Sequence, residues 1–254
     1  MILDSFRLDG KVALVTGSSR GLGQGAAVAL AEAGADVALL DRGDASATAE
    51  LVEATGRRAR RVQRDLVSAR PDELVSAVDD VVAELGGLDI LVNNAGTIRR
   101  APAAEYPAGD WDDVLSINLD AVFHLSQAAG RHMLAQGSGR IINVASMLSF
   151  QGGILVPAYT ASKHAVAGLT KALANEWAAA GVTVNAVAPG YMATDNTAPL
   201  RADEDRAASI LSRIPAGRWG AASDLQGVFV FLASDAAAYV TGAVIPVDGG
   251  WLVR

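Results

Sequence analysis

The chain has 254 residues, 51% of them hydrophobic and only 5% aromatic, so Ala, Val and Leu must fill the large core that an α/β domain of this length can bury. Lys and Arg number 21 against 28 Asp and Glu, a net charge of −7, which argues against the basic surface a nucleic-acid or anionic-membrane partner would need. With no cysteine there is no disulfide and no thiolate metal site, and His124, His132 and His164 lack metal-ligand spacing, so no metal is expected.

The first residues, Met1–Phe6, carry Asp4 where a secretory signal would be basic. No apolar run approaches the roughly 18 residues of a membrane span, and a soluble cytoplasmic protein is expected. From there β-rich runs alternate with longer helical patterns. Lys11–Val15 reads as a strand, followed by a Gly-rich turn and a helix over about Leu22–Ala33. Asp36–Leu40 is a second strand, and Arg61–Arg64 a third after a helix begun near Ser46. The Arg-rich run over 57–64 reads as the solvated end of that helix and the strand after it.

Pro71–Leu85 has Pro in its first turn and Leu74, Val78, Val81, Val82 and Leu85 at helical spacing. Leu88–Val92 is a continuous apolar strand ending in Asn93-Asn94-Ala95-Gly96, with a long helix from about Asp110 and a strand over Arg140–Ala145. A helix over about Ala158–Ala179, the strand Thr183–Val187, an irregular stretch from Pro189, short helices near Asp203–Ser212 and Ser223–Leu232, and a strand at Val244–Val247 complete the chain. This alternation predicts one doubly wound α/β domain of the Rossmann type over 1–254, a mostly parallel sheet of about seven strands with helices on both faces.

The first turn, Thr16-Gly17-Ser18-Ser19-Arg20-Gly21-Leu22-Gly23, lies directly between a strand and a helix. Its glycines let the backbone approach a pyrophosphate, and the helix N-terminus offers free N–H groups and a positive dipole end. The spacing is G-x-x-x-G-x-G rather than G-x-G-x-x-G, but the strand–turn–helix setting is the one a dinucleotide needs. Asp41 ends the second strand, where a carboxylate accepts ribose hydroxyls and repels a 2′-phosphate, which favours NAD over NADP; Arg20 and Arg42 pull the other way. Asp65 and Leu66 close the third strand, either as adenine contacts or as turn residues.

Tyr159 and Lys163 stand four residues apart on one helix, with Ser146 thirteen residues before the Tyr. At that spacing both side chains share a face, and the ammonium is expected to lower the phenol's pKa from about 10 toward the range of a general acid/base.

With the glycine pattern, Asn93-Asn94-Ala95-Gly96, Asn118, Ser146, Tyr159 and Lys163 in order, and with Pro189-Gly190 and Asp248-Gly249-Gly250-Trp251 beyond them, the chain resembles the short-chain dehydrogenase/reductase family over its whole length. The resemblance implies that Tyr159 is the general acid or base, that Lys163 lowers its pKa and holds the nicotinamide ribose, and that Ser146 polarises the carbonyl. It also implies that Asn118 holds a water between Lys163 and solvent; a mid-helix Asn could instead simply bend its helix. Thr16, Gly17, Ser19, Arg20, Gly21, Leu22, Gly23, Asp41, Asp65, Leu66, Asn93, Ala95, Gly96, Pro189, Gly190, Met192 and Thr194, with Tyr159 and Lys163, would line the dinucleotide. A homotetramer is implied by the family alone.

A narrower likeness, in Met1–Phe6, Ile98-Arg99-Arg100, Ser146–Ile154, Asn175-Glu176-Trp177, Pro189–Thr197 and Leu200–Gly220, points to family members that act on keto-deoxy sugar acids. Such a substrate needs a cation for its carboxylate and polar groups for its hydroxyls. Arg99, with Arg100 beside it, Gln151, Ser146 and Tyr159 are the candidates, a substrate lid is expected over about 190–215, and Arg201, Arg206, Arg213 and Arg218 in or near that lid are further candidate partners for the carboxylate. Two rival readings are another reductase of the family, on a 3-oxoacyl carrier or a polyol, and a catalytically silent dinucleotide sensor.

Overall fold

The computed structural model describes all residues, 1–254. Seven strands, β1 (Val12–Thr16), β2 (Asp36–Asp41), β3 (Ala59–Gln63), β4 (Ile90–Asn93), β5 (Gly139–Val144), β6 (Val182–Pro189) and β7 (Val244–Val247), form one sheet in the order β3-β2-β1-β4-β5-β6-β7. Every pairing is parallel. The helices between them are α1 (Gly21–Glu32), α2 (Ser46–Glu53), α3 (Pro71–Leu85), α4 (Ala108–Leu115), α5 (Ala121–Gln136), α6 (Pro157–Trp177), α7 (Ala198–Ala202), α8 (Glu204–Leu211) and α9 (Ser223–Ala233).

The continuous apolar runs become central strands because both sheet faces are covered. Successive side chains point to opposite faces. Thus Ala13, Val15, Val37, Leu39, Ile90 and Val92 pack with α1, α2 and α9, while Leu14, Ala38, Leu40 and Leu91 pack with α3, α5 and α6. Gly25 lets α1 approach the start of α9 closely: a Cβ there would lie 3.0 Å from that of Ala222. Helix α3 begins on Pro71, with Arg70 N–H donating to Glu73 at 2.9 Å, and stops at Gly86, whose φ of 91° is left-handed.

Two features differ from the sequence expectation. The long helix predicted from Asp110 starts at Ala108 and contains a π turn, Ser116–Asp120, between α4 and α5. Such a bulge places one extra residue in the turn and re-aims its side chains, here Asn118. The Arg-rich run is not freely solvated: Arg57, Arg58, Arg60, Arg61 and Arg64 pair with Asp9, Asp36, Glu84, Asp44 and Glu73, all distant in sequence except the last.

Strand order reverses between β1 and β4, which leaves a crevice beyond their carboxyl ends. Segment 190–215 continues from the end of β6 through a 3-10 turn at Asp195–Thr197, then α7 and α8, and its Asp195 pairs with Arg20 of the turn after β1. It is anchored by a small apolar cluster of Met147, Ile210, Ile214 and Trp251, with the Arg213 guanidinium 4.0 Å over the Trp251 ring.

Candidate active site

The turn after β1 is a cradle that only glycine permits. Gly17 and Gly21 have φ of 64° and 59°, and a Cβ on Gly23 would lie 2.0 Å from the Gly17 carbonyl oxygen. The Arg20 side chain does not cap α1, and the amides of Gly21, Leu22 and Gly23 donate to no protein group. Three unpaired N–H groups at a helix start, beside backbone that no side chain obstructs, fit a pyrophosphate. Asn94 clamps this turn, its Nδ2 donating to the carbonyls of Thr16 at 2.9 Å and Gly17 at 3.1 Å. Thr16 in turn accepts the amides of Asn94 and Ala95 through its hydroxyl, at 3.0 and 2.9 Å. A Gly23→Ala enzyme is therefore expected to bind dinucleotide about 100-fold more weakly, the loss of two charge-assisted amide contacts, in a fluorescence-quenching titration.

Asp41 ends β2 as expected, and its carboxylate accepts the amides of Ser19 and Gly43, both at 2.9 Å. Arg20 reaches across the crevice to Asp195 at 2.9 Å, while Arg42 is exposed and makes no ion pair. Asp65 lies beyond the end of β3, exposed, with its carboxylate accepting the Val67 amide at 3.0 Å, and Leu66 is buried in the core. Asn93 is buried and donates to Ser126 Oγ at 3.0 Å and to Asn143 Oδ1 at 2.9 Å. A Cβ on Gly96 would lie 3.1 Å from Asn118 Oδ1, and one on Gly190 2.6 Å from Asp248 Cα. Pro189 closes β6, Met192 is buried and bridges to Gly220, and Thr194 starts the 3-10 turn of segment 190–215.

Ser146 follows β5 in an extended conformation and accepts the Leu148 amide at 3.1 Å. Helix α6 starts on Pro157 and carries Tyr159 and Lys163 on one face, with the Lys163 Nζ 5.6 Å from the Tyr159 ring centroid. Asn118 ties the turn after β4 to α6: its Oδ1 accepts the Thr97 amide at 2.8 Å, and its Nδ2 donates to Thr97 O at 3.0 Å and Ser162 Oγ at 3.2 Å.

Burial reverses the expected pKa of the phenol. Desolvation of the charged form holds Tyr159 above the ordinary tyrosine value, and the Ser146 hydroxyl and the charge of Arg100 act the other way without overcoming it. Lys163 is not among the groups that act on the phenol; its ammonium donates to Val144 O at 2.6 Å and is itself pushed down to about 8 by burial.

The adjacent arginines separate. Arg99 turns toward α4, within 3.6 Å of Asp110 and 3.8 Å of Asp113, and donates to Thr97 Oγ1 at 3.0 Å. Arg100 has no acidic partner, acts on the Tyr159 phenol through its charge, and touches segment 190–215 at Asn196 O, 3.4 Å away. Gln151 is half-buried and makes no side-chain hydrogen bond. Asn94 was visible in the sequence only as part of the Asn-Asn-Ala-Gly turn, and Ser149 and Ser162 carried no signal of a role.

The family described as short chain dehydrogenase matches residues 11–205. The chain belongs to the short-chain dehydrogenase family. Over 255 residues and the full length of both chains it is 57% identical to the 2-dehydro-3-deoxy-D-gluconate 5-dehydrogenase of Escherichia coli (strain K12). It is 56% identical to the protein of the same name from Bacillus subtilis (strain 168), covering 99% of this chain and 98% of the other. A crystal structure from Agrobacterium tumefaciens, assigned as a 2-deoxy-D-gluconate 3-dehydrogenase with NADP bound, superposes with a TM-score of 0.92 at 52% identity, covering 99% of this chain and all of that one. The family's dinucleotide-binding fold is thus the fold of this chain. No helix is long and apolar enough to cross a membrane.

Proposed function

We propose that the protein is an NAD-dependent oxidoreductase that interconverts a secondary alcohol and a ketone on a keto-deoxy sugar acid, of the 2-dehydro-3-deoxy-D-gluconate 5-dehydrogenase type, in the breakdown of pectin-derived uronates. The observation that carries this reading is the convergence of Ser146, Tyr159 and an acid-free Arg100 at the mouth of the crevice that opens beside the Gly17–Gly23 cradle. Full-length likeness to relatives of that name supports the substrate class.

In the oxidation direction the Tyr159 phenolate takes the proton of the substrate hydroxyl; in reduction the phenol returns it to the carbonyl oxygen. A nicotinamide held in this crevice would supply the hydride chemistry at the carbinol carbon. Ser146 orients and polarises the oxygen, Lys163 would hold the nicotinamide ribose from the same face of α6, and Asn118 keeps the turn after β4 on that helix, where a relay water can be held. The amides of Gly21–Gly23 would hold the pyrophosphate, and Asp41, fixed by two backbone amides, would receive the ribose hydroxyls. Its negative charge argues for NAD, while the unpaired Arg42 beside it offers a 2′-phosphate an alternative partner.

Arg100, not Arg99, is assigned the substrate carboxylate, because Arg99 is already held by two acids. Segment 190–215 serves as the lid, since Arg20 and Arg100 reach it from the two sides of the crevice. Assembly as a homotetramer is part of the same reading. Exposed Trp111 and Phe123 on the α4–α5 face support a subunit contact there. A cytoplasmic setting suits such a catabolic step.

The test is a panel of hexonates, keto-deoxy-hexonates and neutral polyols with NAD and NADP, read as reduced-nicotinamide absorbance. A keto-deoxy-hexonate with NAD is expected to give the highest kcat/KM; a neutral polyol or a 3-oxoacyl thioester in that place would overturn the substrate assignment. Arg100→Ala is expected to raise KM for the sugar acid by about 10- to 100-fold, the loss of one charge-assisted contact, and Arg99→Ala by less than about twofold.

A further inference from the structure

Ser149 lies buried in the 3-10 turn after Ser146, outside every group assigned to the chemistry above. Its hydroxyl has two partners. It donates to the backbone carbonyl of Lys163 at 2.6 Å, fourteen residues along the chain, and accepts the backbone amide of Ser146 at 3.3 Å. One oxygen therefore joins the segment that carries the carbonyl-orienting Ser to the helical turn that carries the Tyr–Lys pair.

A second hydrogen bond crosses between these segments, from Lys163 Nζ to Val144 O at 2.6 Å. That bond uses one of the three N–H donors of the ammonium and leaves the other two for further partners. The Ser149 bond is made to backbone and is indifferent to what the ammonium does. The opposite side of the same turn is held in a matching way: Ser162 Oγ donates to the Tyr159 carbonyl at 2.8 Å and accepts from Asn118 Nδ2. The backbone carbonyls of both acid/base residues thus each accept a serine hydroxyl, one anchored to Ser146 and the other to Asn118.

We propose that Ser149 is a positioning residue for hydride transfer, setting the separation of Ser146 from Tyr159 and Lys163 through its two backbone hydrogen bonds. The proposal rests on the oxidoreductase reading for its kinetic consequence but not for its geometry. Misplacing reacting groups by a fraction of an ångström carries a kinetic cost that a stability loss elsewhere does not. Because the Ser146 hydroxyl opposes the effect of burial on the phenol, loosening Ser146 moves the phenol's ionisation to higher pH.

The experiment compares the full-length parent with Ser149→Ala and Ser149→Thr. Ser149→Ala is expected to lower kcat roughly tenfold with less than about a twofold change in KM for the dinucleotide. Tyr159 ionisation, followed by near-ultraviolet phenolate absorbance after rapid pH jumps and referenced to Tyr159→Phe, is expected to shift upward by about 0.5 pH unit. Ser149→Thr, which keeps the hydroxyl, is expected to restore both toward the parent. If the alanine variant does not fold, Ser149→Cys, with a thiol in place of the hydroxyl and only weak donor strength, makes the same comparison. Unchanged kcat and an unshifted phenolate titration in a folded variant would overturn the proposal, whatever happens to its melting temperature. If the parent oxidises or reduces no sugar acid, the oxidoreductase reading fails, yet the titration, which needs no substrate, still decides on Ser149.

Discussion

Tyr159→Phe is expected to reduce kcat by about 10³-fold while leaving the dinucleotide Kd within about twofold of the parent. The ring keeps its place on α6, so the variant removes only the hydroxyl that carries the proton. The parent's pH dependence follows from burial, which holds the phenol above the ordinary tyrosine value. Oxidation needs the phenolate, which is scarce at neutral pH, so its rate rises with pH toward the phenol's pKa. Reduction needs the protonated phenol and stays flat through neutral pH. Steady-state rates in both directions across pH 6–10, with dinucleotide binding by fluorescence quenching, check the whole pattern. A Phe enzyme as fast as the parent would place proton transfer elsewhere and sink the role assigned to Tyr159.

Lys163→Met is expected to inactivate the enzyme and, at neutral pH, to stabilise it. Folding takes this ammonium from an ordinary value of 10.5 down to about 8. That difference corresponds to about 3 kcal/mol of penalty for keeping the charge buried below pH 8. The folded chain releases the proton first, so between about 8 and 10.5 the unfolded chain binds more protons and stability rises with pH. Methionine removes the penalty but leaves Val144 O without its donor, at a cost of about 1 kcal/mol. The net expectation is a gain of about 2 kcal/mol at pH 7 that fades as pH rises through this window. Tyr159 contributes pH dependence of its own only above its ordinary value of 10. Urea unfolding of both proteins at pH 7 and pH 9.5 decides the matter: equal stabilities at pH 7, with parallel pH slopes, would show that the lysine is not paying to be buried.

The order of strands and helices was legible because apolar runs of strand length and helix-spaced runs follow one another without ambiguity, as in Leu88–Val92 and Pro71–Leu85. The cradle was legible from glycines in a strand-to-helix setting, since its requirement is local backbone geometry. The direction of the Tyr159 shift was not, because spacing reveals that a cation is near but not how dry the site is or which carbonyl that cation prefers. Arg99 and Arg100 were indistinguishable as neighbours in sequence. Asp110 and Asp113, ten or more residues away, separate them. The π turn at Ser116–Asp120 is a shift of one residue in hydrogen-bond register, and the side-chain pattern over 108–136 is helical with or without it.

The all-parallel order β3-β2-β1-β4-β5-β6-β7 has a consequence for how this protein is made. No two neighbouring strands can pair as a hairpin, so each pairing waits for an entire crossover, and loop-closure entropy is spent before any sheet contact returns it. The cradle follows β1, the clamp of Asn94 follows β4, Ser146 follows β5 and Pro189 ends β6. No early intermediate containing only the first strands can therefore hold a dinucleotide in this crevice. Ligand present during refolding would act at the end of the pathway, trapping the completed sheet rather than nucleating it. At 100 times its Kd it would add about 2.7 kcal/mol to the stability of the finished fold without speeding its formation.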